Sequence, residues 1–109
     1  MITDELISKC LKNLDATVHF TSLIKSRFYS GDNNNLQLQV VVKHNPRIKA
    51  WEILDADEDL LFDAHFKNKE AAFLLLASDD FAAFYHNAAY RNHANTLMLA
   101  ACYDGVANA

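Results

Sequence analysis

Residues 36–54 read LQLQVVVKHNPRIKAWEIL, and this stretch decides the predicted fold. Leu36–Lys43 alternates apolar and polar side chains with a period of two, which is typical of a strand with one buried face. A turn follows at His44–Arg47, in which the Asn-Pro pair suits the first two positions of a type I turn. Ile48–Leu54 then returns as a second strand, so the sequence predicts a β-hairpin here.

A third strand is predicted at Leu60–Phe66, after a four-residue turn at Ala56–Asp59. The register of the three strands follows from the requirement that their apolar side chains share one face. This requirement gives one consistent set of opposite residues: Val42 with Trp51, Val40 with Ile53, Ile53 with Phe62, and Trp51 with Ala64. The set predicts an antiparallel meander.

Helical periodicity flanks the predicted strands on both sides. Apolar residues recur every three or four positions from Thr3 to Tyr29, and Thr3 suits the cap, so a helix is predicted there. Residues 16–21 are β-branched and alternate, which leaves a strand as the alternative for that part. Two further helices are predicted: one is capped by Asn68 and runs to Ala77, and the next is capped by Ser78, is bent or interrupted at residues 92–95 and resumes over 96–103. The predicted fold class is α+β, in the order α-β-β-β-α-α, with helices covering one face of a three-stranded antiparallel meander.

Composition favours one globular domain that spans residues 1–109. Hydrophobic residues make up 51% of the chain and charged residues 22%, which is ordinary for such a domain. The longest wholly apolar run, Ala71–Ala77, is far shorter than the ~20 residues of a membrane helix, and the acidic start lacks the layout of a signal peptide. Cys10 and Cys102 lie far apart and form no zinc pattern. A cytoplasmic location with reduced thiols is therefore expected.

Acidic residues concentrate in residues 52–63, where six of twelve residues are acidic and none is basic. Asp residues at alternate positions match the start of a calcium loop, but Leu60 and Phe66 replace the required glycine and glutamate. A solvated turn is predicted instead, with Glu52 opposite Asp63 on the outer face of the sheet. These acids form the predicted surface for a basic protein partner: Glu52, Asp55, Asp57, Glu58, Asp59 and Asp63. The alternative is an acidic edge that only aids solubility.

Basic residues concentrate at the first hairpin turn and at the start of the second helix. Successive turns of a meander lie at opposite ends of the sheet, ~20–25 Å apart at ~3.3 Å per residue, so a basic pole and an acidic pole are predicted. The net charge of −4 disfavours generic attraction to nucleic acid but leaves room for a local patch. The alternative function is therefore a nucleic-acid-binding module that uses Lys43, His44, Arg47, Lys49, Lys67 and Lys69.

Motifs of catalysis are missing from the sequence. It has no HExxH, no GxSxG and no glycine-rich phosphate loop, and it has only two glycines. No metal site, no cofactor and no enzymatic activity are expected. Tyr90 and Arg91 add an exposed pair of the kind that interfaces favour. The preferred hypothesis is a small non-enzymatic protein-interaction module, a stand-alone regulator or inhibitor that acts as a monomer or homodimer.

Overall fold

The computed structural model describes residues 1–30, 37–55, 57–61, 64–85 and 106–107. It confirms the α+β class and the antiparallel sheet. In the described residues, five strands lie before residue 67 and a short sixth strand lies beside β5, whereas three strands were predicted. The strands follow one another in chain order across the sheet. The elements are α1 (Asp4–Leu14), β1 (Val18–Thr21), β2 (Lys25–Ser30), β3 (Gln37–Asn45), β4 (Ala50–Leu54), β5 (His65–Phe66), α2 (Lys69–Leu76), α3 (Asp79–Tyr85) and β6 (Val106–Ala107).

The first helix ends at Leu14 rather than at Tyr29. Thr3 caps it through its hydroxyl, as predicted. Asp15 takes the left-handed conformation with φ 52°, and its backbone N–H closes the last turn. β-branched and aromatic residues follow, and they favour extended chain. The helix predicted beyond Asp15 is therefore wrong, and the alternative of a strand within residues 16–21 is confirmed.

The turn between β3 and β4 lies two residues later than predicted, and the register of the two strands differs by two residues from the predicted one. Val42 lies opposite Ile53, and Asn45 lies opposite Ala50, so residues 46–49 form the turn. The Asn45 side chain accepts a backbone hydrogen bond from within this turn at 3.0 Å. An even shift keeps every side chain on its predicted face, so the predicted buried face survives although the predicted partners are wrong.

The pairing of β4 with β5 is shifted in the same way. Trp51 lies opposite Phe66 rather than Ala64, and Phe62, predicted opposite Ile53, lies outside the described residues. Because this shift is also even, Trp51 and Ala64 still belong to the hydrophobic core. Of the predicted third strand, the described residues include β5 and a single bridge from residue 60 to β4.

The three described helices pack on one face of the sheet, called here the inner face. Asn68 and Ser78 cap α2 and α3 by accepting backbone N–H bonds at 2.8 and 3.1 Å, as predicted. The helix predicted at 96–103 lies outside the described residues. The largest fully buried side chains are those of four phenylalanines: Phe28, Phe66, Phe73 and Phe81.

Two aliphatic side chains are buried on the opposite face, called here the outer face. Val41 lies opposite Leu54 in the β3–β4 pair, and the two side chains alternate with those of the core. Val41 is fully buried and Leu54 is 7% exposed. Leu54 also forms the bridge to Leu60, so the chain after β4 folds back beside this aliphatic row.

Two titratable side chains lie against the core. The Cys10 thiol donates to the Phe73 carbonyl at 3.2 Å, and burial raises its pKa to about 12, so the thiol is unreactive. The His19 ring lies 4.8 Å from the ring of Phe28 and 5.7 Å from that of Phe73. Its Nε2 is buried and has no hydrogen-bond partner in the described part of the chain. Burial lowers the pKa of His19, and the charge of Lys69 lowers it further.

Asn13→Ala should destabilise the contact between α1 and the junction of α2 with α3. The Asn13 Nδ2 donates to the carbonyls of Leu76 at 2.9 Å and Ser78 at 2.8 Å. Removing this donor should lower the free energy of unfolding by about 1–3 kcal/mol. Urea denaturation followed by circular dichroism measures the loss. Lys12→Ala, exposed on the same helix, is the control and should change stability by under about 0.5 kcal/mol. Equal stability of Asn13→Ala and wild type would contradict the assigned role.

His19→Phe should reduce the acid sensitivity of the fold. The pKa of His19 is lowered in the folded state, so the unfolded chain takes up this proton first as the pH falls. The contribution of neutral His19 to the free energy of unfolding is therefore complete above about pH 6.5, and it declines as the pH falls from there towards the folded-state pKa. We expect the loss of melting temperature between about pH 7.5 and about pH 5.5 to be smaller in His19→Phe than in wild type. Thermal unfolding at both pH values measures it, and an identical loss in both proteins would count against this explanation.

Candidate partner-binding surface

Three separate segments of the chain meet at one end of the sheet. The β1–β2 turn and the β3–β4 turn are neighbours there, because the His44 backbone N–H donates to the Ile24 carbonyl at 2.8 Å. Since β5 is antiparallel to β4, Lys67 leaves the sheet at the same end. This end carries the following side chains, and we call it the cationic end: Lys25, Lys43, Arg47, Lys49 and Lys67.

Exposed aliphatic side chains lie among these cations. Leu23 is 96% exposed, Ile24 59% and Ile48 44%. The helical periodicity from Thr3 to Tyr29 predicts Ile24 on a buried stripe, so the sequence pattern does not reveal this group. The signal that could have found it is the alternating run at residues 16–21, because a strand there requires a turn at residues 22–24.

Two of the bases predicted to bind nucleic acid are engaged within the protein. The Lys69 Nζ donates to Thr21 Oγ1 at 2.8 Å and to the Ser22 carbonyl at 3.0 Å, and it lies 5.4 Å from the centroid of the Trp51 ring. Burial lowers the pKa of Lys69. The His44 ring packs edge-on against Trp51, with 5.3 Å between centroids. The structure therefore gathers four of the six predicted bases at the surface of the cationic end: Lys43, Arg47, Lys49 and Lys67.

The acidic stretch forms a tight turn, as predicted, and Asp55 holds it together. Asp55 Oδ1 accepts backbone N–H bonds from Asp57 at 2.8 Å and from Asp59 at 3.0 Å. The Asp55 backbone N–H donates to the Asp59 carbonyl at 2.8 Å. Asp57 and Asp59 are exposed. We call residues 55–59 the acidic loop; its acidic side chains thus divide between holding the turn and facing solvent.

Glu58 of the acidic loop pairs with Lys25 in β2, with 3.1 Å between Oε1 and Nζ. Because β3 lies between β2 and β4 in the sheet, this ion pair crosses the outer face of β3. The hydrogen bond from Lys25 lowers the pKa of Glu58, and the charges of Lys25 and Lys43 lower it further. The predicted separation of an acidic pole from a basic pole is therefore wrong for Glu58.

Glu52 is also engaged within the protein. Its carboxylate accepts a hydrogen bond from Asn45 Nδ2 at 3.1 Å and lies 3.6 Å from His65 Nε2. Its neighbour on β3 is Lys43, so a cation and an imidazole lie beside it, and the predicted pairing with Asp63 lies outside the described residues. Three residues predicted for the partner surface lie outside the described residues: Asp63, Tyr90 and Arg91.

An open groove of about 430 Å³ lies between the β3–β4 turn and the acidic loop. Its lining includes cations, acids and leucines: Lys43, Arg47, Glu52, Glu58, Leu54 and Leu60. Within the described ranges, no group of three or more His, Cys, Asp or Glu residues is placed to hold a metal ion. In the same ranges no helix has the length and apolar character needed to span a membrane. With cations and acids in its lining, the groove is a surface of mixed charge beside the cationic end.

Asp55→Ala should loosen the acidic loop and leave the sheet intact. Alanine removes the acceptor of two backbone hydrogen bonds, whereas Asp55→Asn keeps an Oδ1 acceptor. At ~1 kcal/mol for a hydrogen bond, amide hydrogen exchange at Asp57 and Asp59 should become about fivefold faster in Asp55→Ala. NMR-detected exchange measures this, with Asp55→Asn as the matched control. The assigned role fails if the alanine and asparagine variants exchange alike.

The described surface thus combines a cationic end that carries exposed aliphatic side chains with an acidic loop folded towards it. It therefore presents charges and apolar side chains together. No protein-family model, no curated protein and no solved structure matches this chain.

Proposed function

We propose that this chain is a small non-enzymatic protein-interaction module that binds its partner through the cationic end. The observation that supports the proposal most is the group of exposed aliphatic side chains, Leu23, Ile24 and Ile48, among the cations there. Exposed aliphatic residues on adjoining turns are costly to leave in water and are typical of interaction sites. Such a module acts by occupying the surface of its partner, as a regulator or inhibitor does.

The charge of the cationic end predicts the chemistry of the partner. Arg47, Lys49 and Lys67 are exposed and lie at the same end of the sheet as the aliphatic group. Protein interfaces often place an apolar centre within a charged rim, and complementary charges speed association and reject wrong partners. The partner surface is therefore expected to be acidic with an apolar centre.

The acidic loop offers a second surface, for a basic protein partner. Asp57 and Asp59 are exposed on a turn that is already held in shape by Asp55. A preformed loop loses little conformational entropy on binding. Two of the acids first expected on this surface, Glu52 and Glu58, already contact basic side chains of the protein, so the cationic end is the stronger candidate.

Nucleic-acid binding is the second candidate function, and one observation favours it. The bases Lys43, Arg47, Lys49 and Lys67 come from separate segments yet lie at one end of the sheet. Phosphate binding would use their charges and would depend steeply on salt. It would make little use of Leu23 and Ile48, which separates the two functions experimentally.

Affinity capture from a nuclease-treated lysate should recover a protein with the wild-type chain. A variant that replaces two of the exposed aliphatic residues, Leu23→Ser with Ile48→Ser, should fail to recover it. Truncating a buried interface anchor typically costs more than ~1.4 kcal/mol, or about tenfold in affinity. Both residues are exposed in the free protein, so the melting temperature should stay within a few degrees of wild type. Capture that survives this variant undiminished would refute the proposed surface.

Two charge variants complete the design. Arg47→Glu, Lys49→Glu and Lys67→Glu together should abolish capture, whereas Asp57→Lys with Asp59→Lys, the matched variant on the acidic loop, should not. Loss of capture in the acidic-loop variant alone would instead support binding of a basic protein partner to the acidic loop. Recovery of nucleic acid without nuclease, unaffected by Leu23→Ser and weakened steeply by salt, would support the second candidate.

A further inference from the structure

Lys25 and Lys43 stand directly opposite each other on β2 and β3. Both side chains point to the outer face, as does that of Arg27 two residues along β2. Like charges at opposite positions of an antiparallel pair destabilise it. An anion placed between the two cations offsets this repulsion, so the position favours a negatively charged group.

Glu58 supplies such a group from the acidic loop. Its carboxylate lies 3.1 Å from the Lys25 Nζ, and the Lys25 side chain is only 19% exposed. The pKa of Glu58 is lowered, first by the hydrogen bond from Lys25 and then by the charges of Lys25 and Lys43, with a smaller effect from Arg27. The carboxylate therefore contacts Lys25 and lies in the electrostatic field of Lys43 and Arg27.

The acidic loop is built so that Glu58 stays in this position. Glu58 has φ 63°, the left-handed region that disfavours residues other than glycine. Its backbone N–H donates to the Asp55 carbonyl at 3.1 Å, and Asp55 also fixes the residues on either side of it. A residue with a side chain in this conformation is retained where its surroundings hold it.

We propose that Lys25, Arg27 and Lys43 form a docking site for a carboxylate side chain of the protein partner, and that Glu58 fills this site until the partner displaces it. The inference rests on the proposed function, since it names the chemistry that an acidic partner would bring. The internal ligand indicates the occupant: a glutamate followed closely by an aliphatic residue, as Leu60 follows Glu58. Leu60 is 45% exposed beside the site, where a partner's aliphatic side chain can contact it.

Fluorescence anisotropy with a fluorescein-labelled hexaglutamate peptide at low salt tests the site directly. Glu58→Gln removes the internal carboxylate and keeps the size of the side chain, so it should bind the peptide about two- to fivefold more tightly than wild type, the range expected for an exposed ion pair. Asp57→Asn changes the net charge equally but leaves Glu58 in place. It should bind like wild type.

A second variant identifies the cations. Lys43→Ala added to Glu58→Gln should return the affinity to the wild-type value or below, with melting temperatures reported for each protein as the folding control. Equal tightening by Glu58→Gln and Asp57→Asn would overturn the proposal, because net charge alone would then explain the gain. Failure of every variant to bind hexaglutamate would overturn it as well. The protein-binding proposal is judged separately, by loss of capture in the Leu23→Ser and Ile48→Ser variant.

Discussion

Burial of the aliphatic pair Val41 and Leu54 is the constraint on which the charged surfaces depend. Both side chains are buried although they lie on the face opposite the described helices, and such burial stabilises a fold by about 1.5–3 kcal/mol for each side chain. The chain after β4 turns back so that Leu60 bridges to Leu54. The acidic loop is thereby held over the outer face, where Glu58 reaches Lys25. A loop that projected straight beyond β4 would leave this ion pair unmade.

The cations fall into two groups, which differ in whether an acid of the chain already pairs with them. Lys25 is already neutralised by Glu58, whereas in the described part of the chain no acid forms an ion pair with Arg47, Lys49 or Lys67. A cation that is already paired with an acid of the same chain gains little from a second acid unless the first one leaves. An unpaired cation attracts an acidic protein from a distance. Under the proposed function, the exposed turns suit the first encounter with the partner, and the outer face suits selection once the partner is close.

Elements with strong local signals were predictable from the sequence, and elements set by long-range contacts were not. The caps at Thr3, Asn68 and Ser78 were correct because a cap is decided by its own turn. The end of the first helix was missed, because the β-branched residues at 17–21 also fit a helical stripe. The β3–β4 register was wrong by two residues, because an even shift preserves the buried face and so leaves the hydrophobic pattern unchanged.

The candidate surface was predictable only in part, for the same physical reason. The bases of the β3–β4 turn and Lys67 could be found by reading charge along the chain. The aliphatic residues Leu23 and Ile24 could not, because their exposure depends on a hairpin that the helical interpretation removed. The run of acids at residues 52–63 pointed to an acidic binding surface, yet charge read along the chain carries no information on which segments become neighbours. Because antiparallel strand order brings residues 22–25, 43–49 and 67 to one end, an acidic chain presents a cationic surface, and topology rather than composition decides which charges become neighbours.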